Sequence, residues 1–574
     1  MDNQQLAEIF EDIANLLEIK GEVIYKVLAY RRAGESLREL GQDISHHHQQ
    51  GTLKEIPGIG KAISEKIQEL LETGELAYYQ ELTAEVPGSL IELLEVPGLG
   101  PKRVALFWKE LGLTTLPELA EAASAGQLRQ LEGIGPKTEA NILKGIEALQ
   151  RRTDRILLGD ALPFARRLLD TLREIPGVER AEAGGSLRRR AETVGDLDLL
   201  AAADESGPVM AGFLGHPEVK EIISQGDIKS SVVFANGLRA QLWVHPPENY
   251  GTALQYATGA KDHNVRLREL ARSQGYSLSE HGLTEMEGGL EHQFRTERGV
   301  YRKLGLPWIP PELREDRGEI QAAQSGELPE LITVEDIQAE LHSHTTWSDG
   351  RNTLRDMAEA AQARGYRVLA VTDHSGSLGI AGGLSPRELL EQREEIRELQ
   401  EELGEDLVLL AGVELEILAD GSLDFDEQVL AGFDIVVASL HTSMRQPREQ
   451  ITQRLLNAIR SPHVDIIAHP TNRLLGKREA ADLDMDAVLE AAAEYGVALE
   501  INANPQRLDL NDVYARRAGE LGIPLAVNTD AHEPSHLDYL PFGTATARRA
   551  WLKADQVINT WDVDRLLSWL EHRS

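Results

Sequence analysis

The sequence contains no cysteine among its 574 residues, which excludes disulfides and thiolate metal sites. It also lacks an amino-terminal apolar stretch resembling a secretory signal or membrane span, so a cytoplasmic protein without a membrane partner is expected. Positive charge is scarce: 59 Lys and Arg against 94 Asp and Glu leave a formal charge of −35. That balance argues against a nucleic-acid partner, because phosphate binding is driven by cations that displace counterions. The argument is weak for a long chain, since a summed charge hides local patches and helix amino-termini offer another way to hold phosphate. Only six methionines accompany many Glu and Arg, a compositional hint of a thermophile. The length leaves room for three or more domains.

What is present is a run of candidate metal ligands in phase with apolar segments. Between residues 337 and 532 the chain reads IQAELHSHTTWSDG, VLAVTDH, VLLAGVELEI, DIVVASLH, VDIIAHP and PLAVNTDAH. Each strand-length run ends at or just before one of His342, His344, Asp349, His374, Glu414, His441, His469, Asp530 and His532. Helical patterns separate the runs. Strands buried on both faces and alternating with helices predict a parallel α/β barrel whose carboxyl-end loops share one mouth. Nine imidazoles and carboxylates gathered there exceed what one ion can use, so two or three divalent cations are expected. Paired cations suit phosphoester hydrolysis.

The first 150 residues carry an internal repeat: LKEIPGIGKAISEKI, LLEVPGLGPKRVALF and LRQLEGIGPKTEANI. Each has an apolar-x-Gly-apolar-Gly turn, at Gly58/Gly60, Gly98/Gly100 and Gly133/Gly135, opening a helix. Glycines permit a left-handed turn and close approach, and the helix amino-terminus offers free N–H groups to an anion. Three such hairpins point to contacts with nucleic-acid backbone and no base readout. Between the repeat and the barrel stands GGSLRRRAETVGDLDLL. Strand alternation puts Asp196 and Asp198 on one face, as a two-cation nucleotidyl-transfer site needs. Gly185-Ser186 and Arg188–Arg190 supply the close backbone approach and the charge that a triphosphate requires.

These features resemble known families. His342-x-His344, Asp349, Thr372-Asp373-His374, Glu414, His441, His469 and Asp530-x-His532 resemble a PHP (polymerase and histidinol phosphatase) domain, which implies a trinuclear centre holding Mn2+ or Zn2+. With the amino-terminal part, the whole chain resembles a bacterial or archaeal family X DNA polymerase with a carboxyl-terminal PHP domain. The expected architecture is multidomain: α-helical helix-hairpin-helix amino-terminal domains, an α+β nucleotidyltransferase palm and thumb, and a distorted (β/α)7 PHP barrel. Expected boundaries are 1–80 for a lyase-type domain containing Tyr30-Arg31-Arg32-Ala33, 81–152 for a helical DNA-binding domain, 153–249 for the palm and 250–315 for a nucleotide-selecting thumb. A linker at 316–335 and the barrel at 336–574 complete the set.

By the same resemblance, Asp196 and Asp198 would hold Mg2+ or Mn2+. Gly185, Ser186 and Arg189 would take the triphosphate, while Tyr256, Gly259 and Asn264 in LQYATGAKDHN would take the sugar and base edge. Lys66 matches a Schiff-base lysine of the lyase reaction, and Lys26 lies near the matching 5′-phosphate contact. Gapped or nicked DNA and dNTPs are the implied partners of a monomer. The implied activities are gap filling, 3′–5′ exonucleolytic trimming and cleavage at abasic sites.

The sequence departs from the pattern in the lyase-type domain, where Ala62 takes the place of a second family lysine beside Lys61, and at two points in the palm and thumb. Gln241, in GLRAQLWV, stands where the palm's third carboxylate is expected, and Ala257 replaces an aromatic residue. An amide neither holds a cation nor accepts a proton as a carboxylate does. Two alternatives therefore stand beside the main expectation: a nuclease on a retired polymerase scaffold, and a phosphatase of the histidinol-phosphate kind. His46–His48 is expected in a solvated loop. Arg473 and Arg507 are expected as phosphate clamps at the barrel mouth.

Overall fold

The structure is a computed structural model that describes residues 3–38, 40, 44–56, 58–74, 76–96, 99–131, 133–153, 155–404 and 406–571. The chain divides into two compact units, one formed by residues 1–154 with the segment 379–382, the other by residues 155–378 and 383–574. Among the described residues no helix is long and apolar enough to cross a membrane.

The first unit is helical. Its long helices include Asn3–Lys20, Ile24–Arg38, Lys61–Thr73, Pro101–Leu111 and Pro136–Thr153. One buried apolar cluster runs from Leu6 to Ile146, so the two helical domains expected at 1–80 and 81–152 share a core. Gly58 and Gly133 have φ of 84° and 81°, a region that side-chain-bearing residues avoid. Gly60 and Gly100 are the N-caps of the helices that follow, and Gly135 directly precedes Pro136. Gly98 lies outside the described residues. His46–His48 sits in a helix, Ile44–Gln50, not the expected loop. The His47 ring packs back on the Thr52 hydroxyl at 3.0 Å, a local contact that a polar composition conceals.

In the second unit the palm is a five-stranded sheet ordered Arg180–Ala183, Leu197–Ala202, Arg239–His245, Lys229–Phe234, Val219–Ser224. The Leu197–Ala202 and Arg239–His245 strands run parallel, with Asp198 opposite Gln241. Helix Leu158–Arg173 covers one face through Leu162, Phe164, Ala165 and Leu169. The thumb core gathers Leu267, Val300, Tyr301 and Leu313 and also takes in Ile320 and Ala323.

That last packing corrects the linker expected at 316–335. Residues Glu319–Ser325 form a helix with Glu319, Ile320 and Ala323 buried, and Arg314, just before the stretch, is buried too. These charged residues find partners inside the fold. The Arg314 guanidinium meets Glu297 at 2.6 Å, and Glu319 meets the buried His263 at 2.6 Å. Buried polar groups persist where each has a partner, here an ion pair for Arg314 and a hydrogen bond for Glu319.

The barrel consists of seven parallel strands in chain order: Ala339–Glu340, Val368–Val371, Val408–Glu416, Ile435–Ser439, Ile466–Ile467, Ala498–Asn502 and Leu525–Asn528. A bridge between Ser343 and Ala531, with His344 N donating to Ala531 O at 2.8 Å, closes the ring. Alternate residues face in and out. Val368, Ala370, Leu410, Val437 and Ile466 form an inner cluster with Leu566 and Leu570 of the last helix, Val563–Glu571. Leu369, Val371, Leu409, Val436 and Ile467 meet the outer helices. Burial on both faces is why these strands read as unbroken apolar runs. The distortion is visible in the third crossover, which shrinks to the single turn Glu427–Leu430.

Candidate metal centre and palm site

All nine barrel donors converge at the carboxyl ends of the strands. His344, Asp349, His374 and His532 form one group, His342, His344 and Asp530 a second, and His374, Glu414 and His441 a third; within each group the donor atoms lie within 4.8 Å of one another. His469 joins through Nε2, 3.1 Å from Glu414 Oε1. His344 and His374 each belong to two groups, and close contacts join the rest: Glu414 approaches His342 at 3.4 Å and His374 at 2.9 Å, and Asp530 approaches His344 at 3.2 Å. His469 and Asp530 have φ of 26° and 54°. Left-handed backbone at a residue other than glycine costs energy and persists where the surroundings enforce it, commonly at functional sites.

The electrostatics fit cations. Burial opposes charge on His342 and His374, yet neighbouring carboxylates hold both imidazoles well above their usual range. Against the same burial, the imidazoles hold Asp349, Glu414 and Asp530 well below theirs. Burial and neighbouring cationic groups lower His344 and His469. Buried ring nitrogens remain without a hydrogen bond: His342 Nε2, His469 Nδ1 and both nitrogens of His344. Orphaned buried imidazole nitrogens beside ionised carboxylates are the donor set that divalent cations take up in place of protons.

A supporting shell orients the donors. Glu500, on the strand Ala498–Asn502, takes His342 Nδ1 at 2.8 Å and accepts from His469 N at 2.7 Å. Glu416 takes His441 Nδ1 at 3.0 Å. Buried Asp373 accepts from Thr345 N, the Thr345 hydroxyl and Ser348, so it braces the loop after the first strand. Such partners fix ring orientation and raise donor basicity. Sequence reasoning missed Glu500 and Glu416 as site residues, although the Glu414-Leu-Glu416 alternation was a usable signal. Arg507 remains near the centre, its Nε 3.8 Å from Asp530 Oδ2. Arg473 instead ties to Glu192 of the palm at 2.6 Å and to the Arg507 and Leu508 carbonyls, a strut rather than the expected clamp.

In the palm, Asp196 and Asp198 lie together, with Gln241 beside them. Gln241 Nε2 donates to Asp196 Oδ2 at 2.8 Å. Burial and the Asp196 carboxylate push Asp198 up to about 7, so the pair calls for a cation. Gly185 has φ of 55°, and a Cβ there would fall 2.1 Å from Asp198 Oδ2; only glycine fits. Ser186 follows in the short helix Gly185–Arg188. Arg189 is held by Glu315 through Nε at 3.0 Å and donates to Thr258 O at 2.9 Å.

The three thumb residues cluster at the end of helix Tyr250–Thr258, where Ala257 packs on Gly184. Asn264 donates to Tyr256 O at 2.7 Å and accepts from Gln255 at 3.0 Å. Its amide thus braces this turn, and Gly259 leaves it room, since a Cβ there would lie 2.6 Å from Asn264 Oδ1. In the helical unit, Lys26 and Lys66 converge on one ring: their Nζ atoms lie 5.5 and 4.9 Å from the Tyr78 centroid.

Comparison with known proteins matches this architecture piece by piece. Residues 1–76 match a helix-hairpin-helix domain, 90–148 a SAM-like helix-hairpin-helix tandem, 253–315 the DNA polymerase beta thumb and 340–504 the PHP domain. The DNA polymerase/3′-5′ exonuclease PolX of Bacillus subtilis (strain 168) is 39% identical over 561 residues, covering 97% of each chain. The chain belongs to the PolX family of family X DNA polymerases. Its two parts have separate kin as well. DNA polymerase lambda of Arabidopsis thaliana is 28% identical over 54% of this chain and 62% of its own. A probable phosphatase of Thermoanaerobacter sp. (strain X514) is 31% identical over 40% of this chain and 94% of its own.

Proposed function

We propose that this PolX chain is a cytoplasmic DNA-repair enzyme that binds gapped or nicked DNA, fills short gaps from dNTPs in the palm, and trims 3′ ends by metal-dependent phosphodiester hydrolysis in the barrel. The observation that carries the reading is the convergence of nine donors, from His342 to His532, at one barrel mouth. The name of the full-length Bacillus relative joins the same two activities, whereas the phosphatase relative matches about two fifths of the chain. That difference disfavours a small-molecule phosphatase.

Divalent cations, three of Mn2+ or Zn2+ in the barrel and Mg2+ or Mn2+ in the palm, would supply Lewis acidity and charge neutralisation at a phosphate. The chain's own residues do the rest. His342, His344, Asp349, His374, Glu414, His441, His469, Asp530 and His532 hold the barrel cations, while Glu500 and Glu416 fix two of the imidazoles. Arg507, beside Asp530, meets a substrate phosphate. In the palm Asp196 and Asp198 hold cations, and Gly185, Ser186 and Arg189 receive the triphosphate. Gly259, Asn264 and Tyr256 shape the sugar and base side. The three hairpins, with Gly58/Gly60, Gly98/Gly100 and Gly133/Gly135, hold DNA backbone; Lys26 contacts a 5′ phosphate and Lys66 serves lyase chemistry. The chain works as a monomer.

One observation favours a second reading, a nuclease on a retired polymerase: the Gln241 amide donates to Asp196, occupying an oxygen that a cation would use. A single experiment separates the readings. The protein is incubated with Mn2+ and a one-nucleotide-gapped duplex labelled at the primer 5′ end, with and without dNTPs, beside a His342→Ala/His344→Ala variant. Extension by the variant, together with shortening by the wild type alone, supports the main reading. Shortening by the wild type with no extension by either protein supports the second. Shortening that survives in the variant overturns the barrel assignment.

A further inference from the structure

The palm, thumb and barrel meet at a charged seam that neither activity explains. Helix Leu540–Arg549 of the barrel ends in Arg549, whose side chain is nine-tenths buried. Its guanidinium donates to the Arg189 carbonyl at 2.8 Å and to Glu315 Oε1 at 2.9 Å. On its other side it meets Asp512 at 2.9 Å, which also takes Arg317 at 2.9 Å. The same Glu315 oxygen that accepts from Arg549 accepts from Arg189 Nε at 3.0 Å. Arg189 is therefore held twice from the barrel side, by its backbone directly and by its side chain through Glu315.

The backbone contact falls at a strained point. Arg190, the next residue, has φ of 57°, and a non-glycine residue keeps such a conformation only where its neighbours enforce it. The side-chain contact falls on a group close enough to Asp198 for its charge to be felt there. Against the cost of burial, Arg189 and Arg549 together hold the Glu315 carboxyl below its usual range, so the carboxylate stays ionised and shared.

We propose that Arg549 is a positioning residue for nucleotide binding: a barrel side chain that sets Arg189 in place by holding both its carbonyl oxygen and its carboxylate partner. The inference rests on the reading above that Arg189 receives the triphosphate. With Arg549 present, Glu315 divides its attraction between two guanidiniums, and the Arg189 charge remains available to a phosphate. Without it, Glu315 belongs to Arg189 alone, and the turn at Arg190 loses the anchor that comes from the barrel. Both changes weaken triphosphate binding, and neither touches the barrel donors.

The test measures the dissociation constant of a complementary dNTP from the full-length protein on one-nucleotide-gapped DNA with a dideoxy-terminated primer, so that no synthesis occurs. Variants are Arg189→Ala, Glu315→Gln, Arg549→Met, Arg549→Lys and the Arg549→Met/Glu315→Gln pair. Arg549→Met is expected to weaken dNTP binding at least about fivefold. Arg549→Lys, keeping charge but offering no fork, recovers part of the loss, and the double variant loses less than the product of the single losses. Melting temperature and gap affinity report whether each variant folds.

Weakening by Arg189→Ala with dNTP affinity within twofold of wild type in Arg549→Met overturns the inference alone and leaves Arg549 a structural seam residue. If Arg549→Met does not fold, Arg549→Leu, which also removes charge and fork, takes its place under the same criterion. No dNTP binding by the wild type, or none lost in Arg189→Ala, overturns the triphosphate reading and this inference with it.

Discussion

The barrel and the palm are two answers to one problem, holding cations beside a phosphate, and they differ in redundancy. The barrel assembles nine donors, two of which, His344 and His374, serve two groups each, and Glu414 approaches His342, His374, His441 and His469. The palm has two carboxylates, and the third position beside them is an amide already bonded to one of the pair. A crowded site built on strands tolerates the loss of an outlying contact. A minimal site has nothing to spare, and a single replacement decides whether it works.

The largest effect is expected where the barrel is broken at its hub. His342→Ala/His344→Ala removes donors from two of the three groups, and 3′ trimming should fall at least about a thousandfold in a single-turnover assay, with dNTP-dependent extension unaltered. Next comes repair of the palm. Gln241→Asp replaces a donor amide with a third carboxylate, and single-nucleotide insertion should rise about a hundredfold under pre-steady-state conditions; an unchanged rate would show that Gln241 does not limit synthesis.

A smaller effect sharpens the contrast between donors and their supports. Glu500→Gln keeps the shape but removes the charge that faces His342 Nδ1, so trimming and Mn2+ affinity should fall about ten- to a hundredfold, measured by titrating the metal against initial rate. The smallest is thermal. Chelation should lower the melting temperature of the second unit, which contains the barrel, by about a few degrees, since a ligand that binds only the folded state stabilises it by mass action. Calorimetry of the His342→Ala/His344→Ala variant should show a reduced response to chelator.

Much of the barrel was legible because its signal is local: an apolar run, then a donor, repeated in phase with strand and helix. The palm was legible through one short segment, with Gly185 and Asp198 close enough in sequence to be read together and, in the fold, close enough that only glycine fits. What escaped notice was non-local. Glu500 reads as an ordinary strand carboxylate until His342, 158 residues away, is placed on it. The stretch at 316–335 looked like a solvated linker because composition counts charges without showing that Glu319 is buried against His263 inside the fold. Arg473 looked free to clamp a phosphate, and only the three-dimensional seam reveals Glu192 as its partner. Arg549 had no signal at all, for its partner carbonyl lies 360 residues upstream.

The closure of the barrel between Ser343 and Ala531 has a consequence in time. The donors His342 and His344 follow the first strand, Asp530 and His532 follow the last, and two of the three groups need both ends. A ribosome delivers the first nearly two hundred residues before the second, and earlier segments begin to fold while later ones are still being made. Until the last strand arrives, these groups lack His532 and Asp530, and the hydrolytic centre cannot assemble. A potentially destructive nuclease therefore stays silent throughout its own synthesis, its activation timed by the order in which the chain is written.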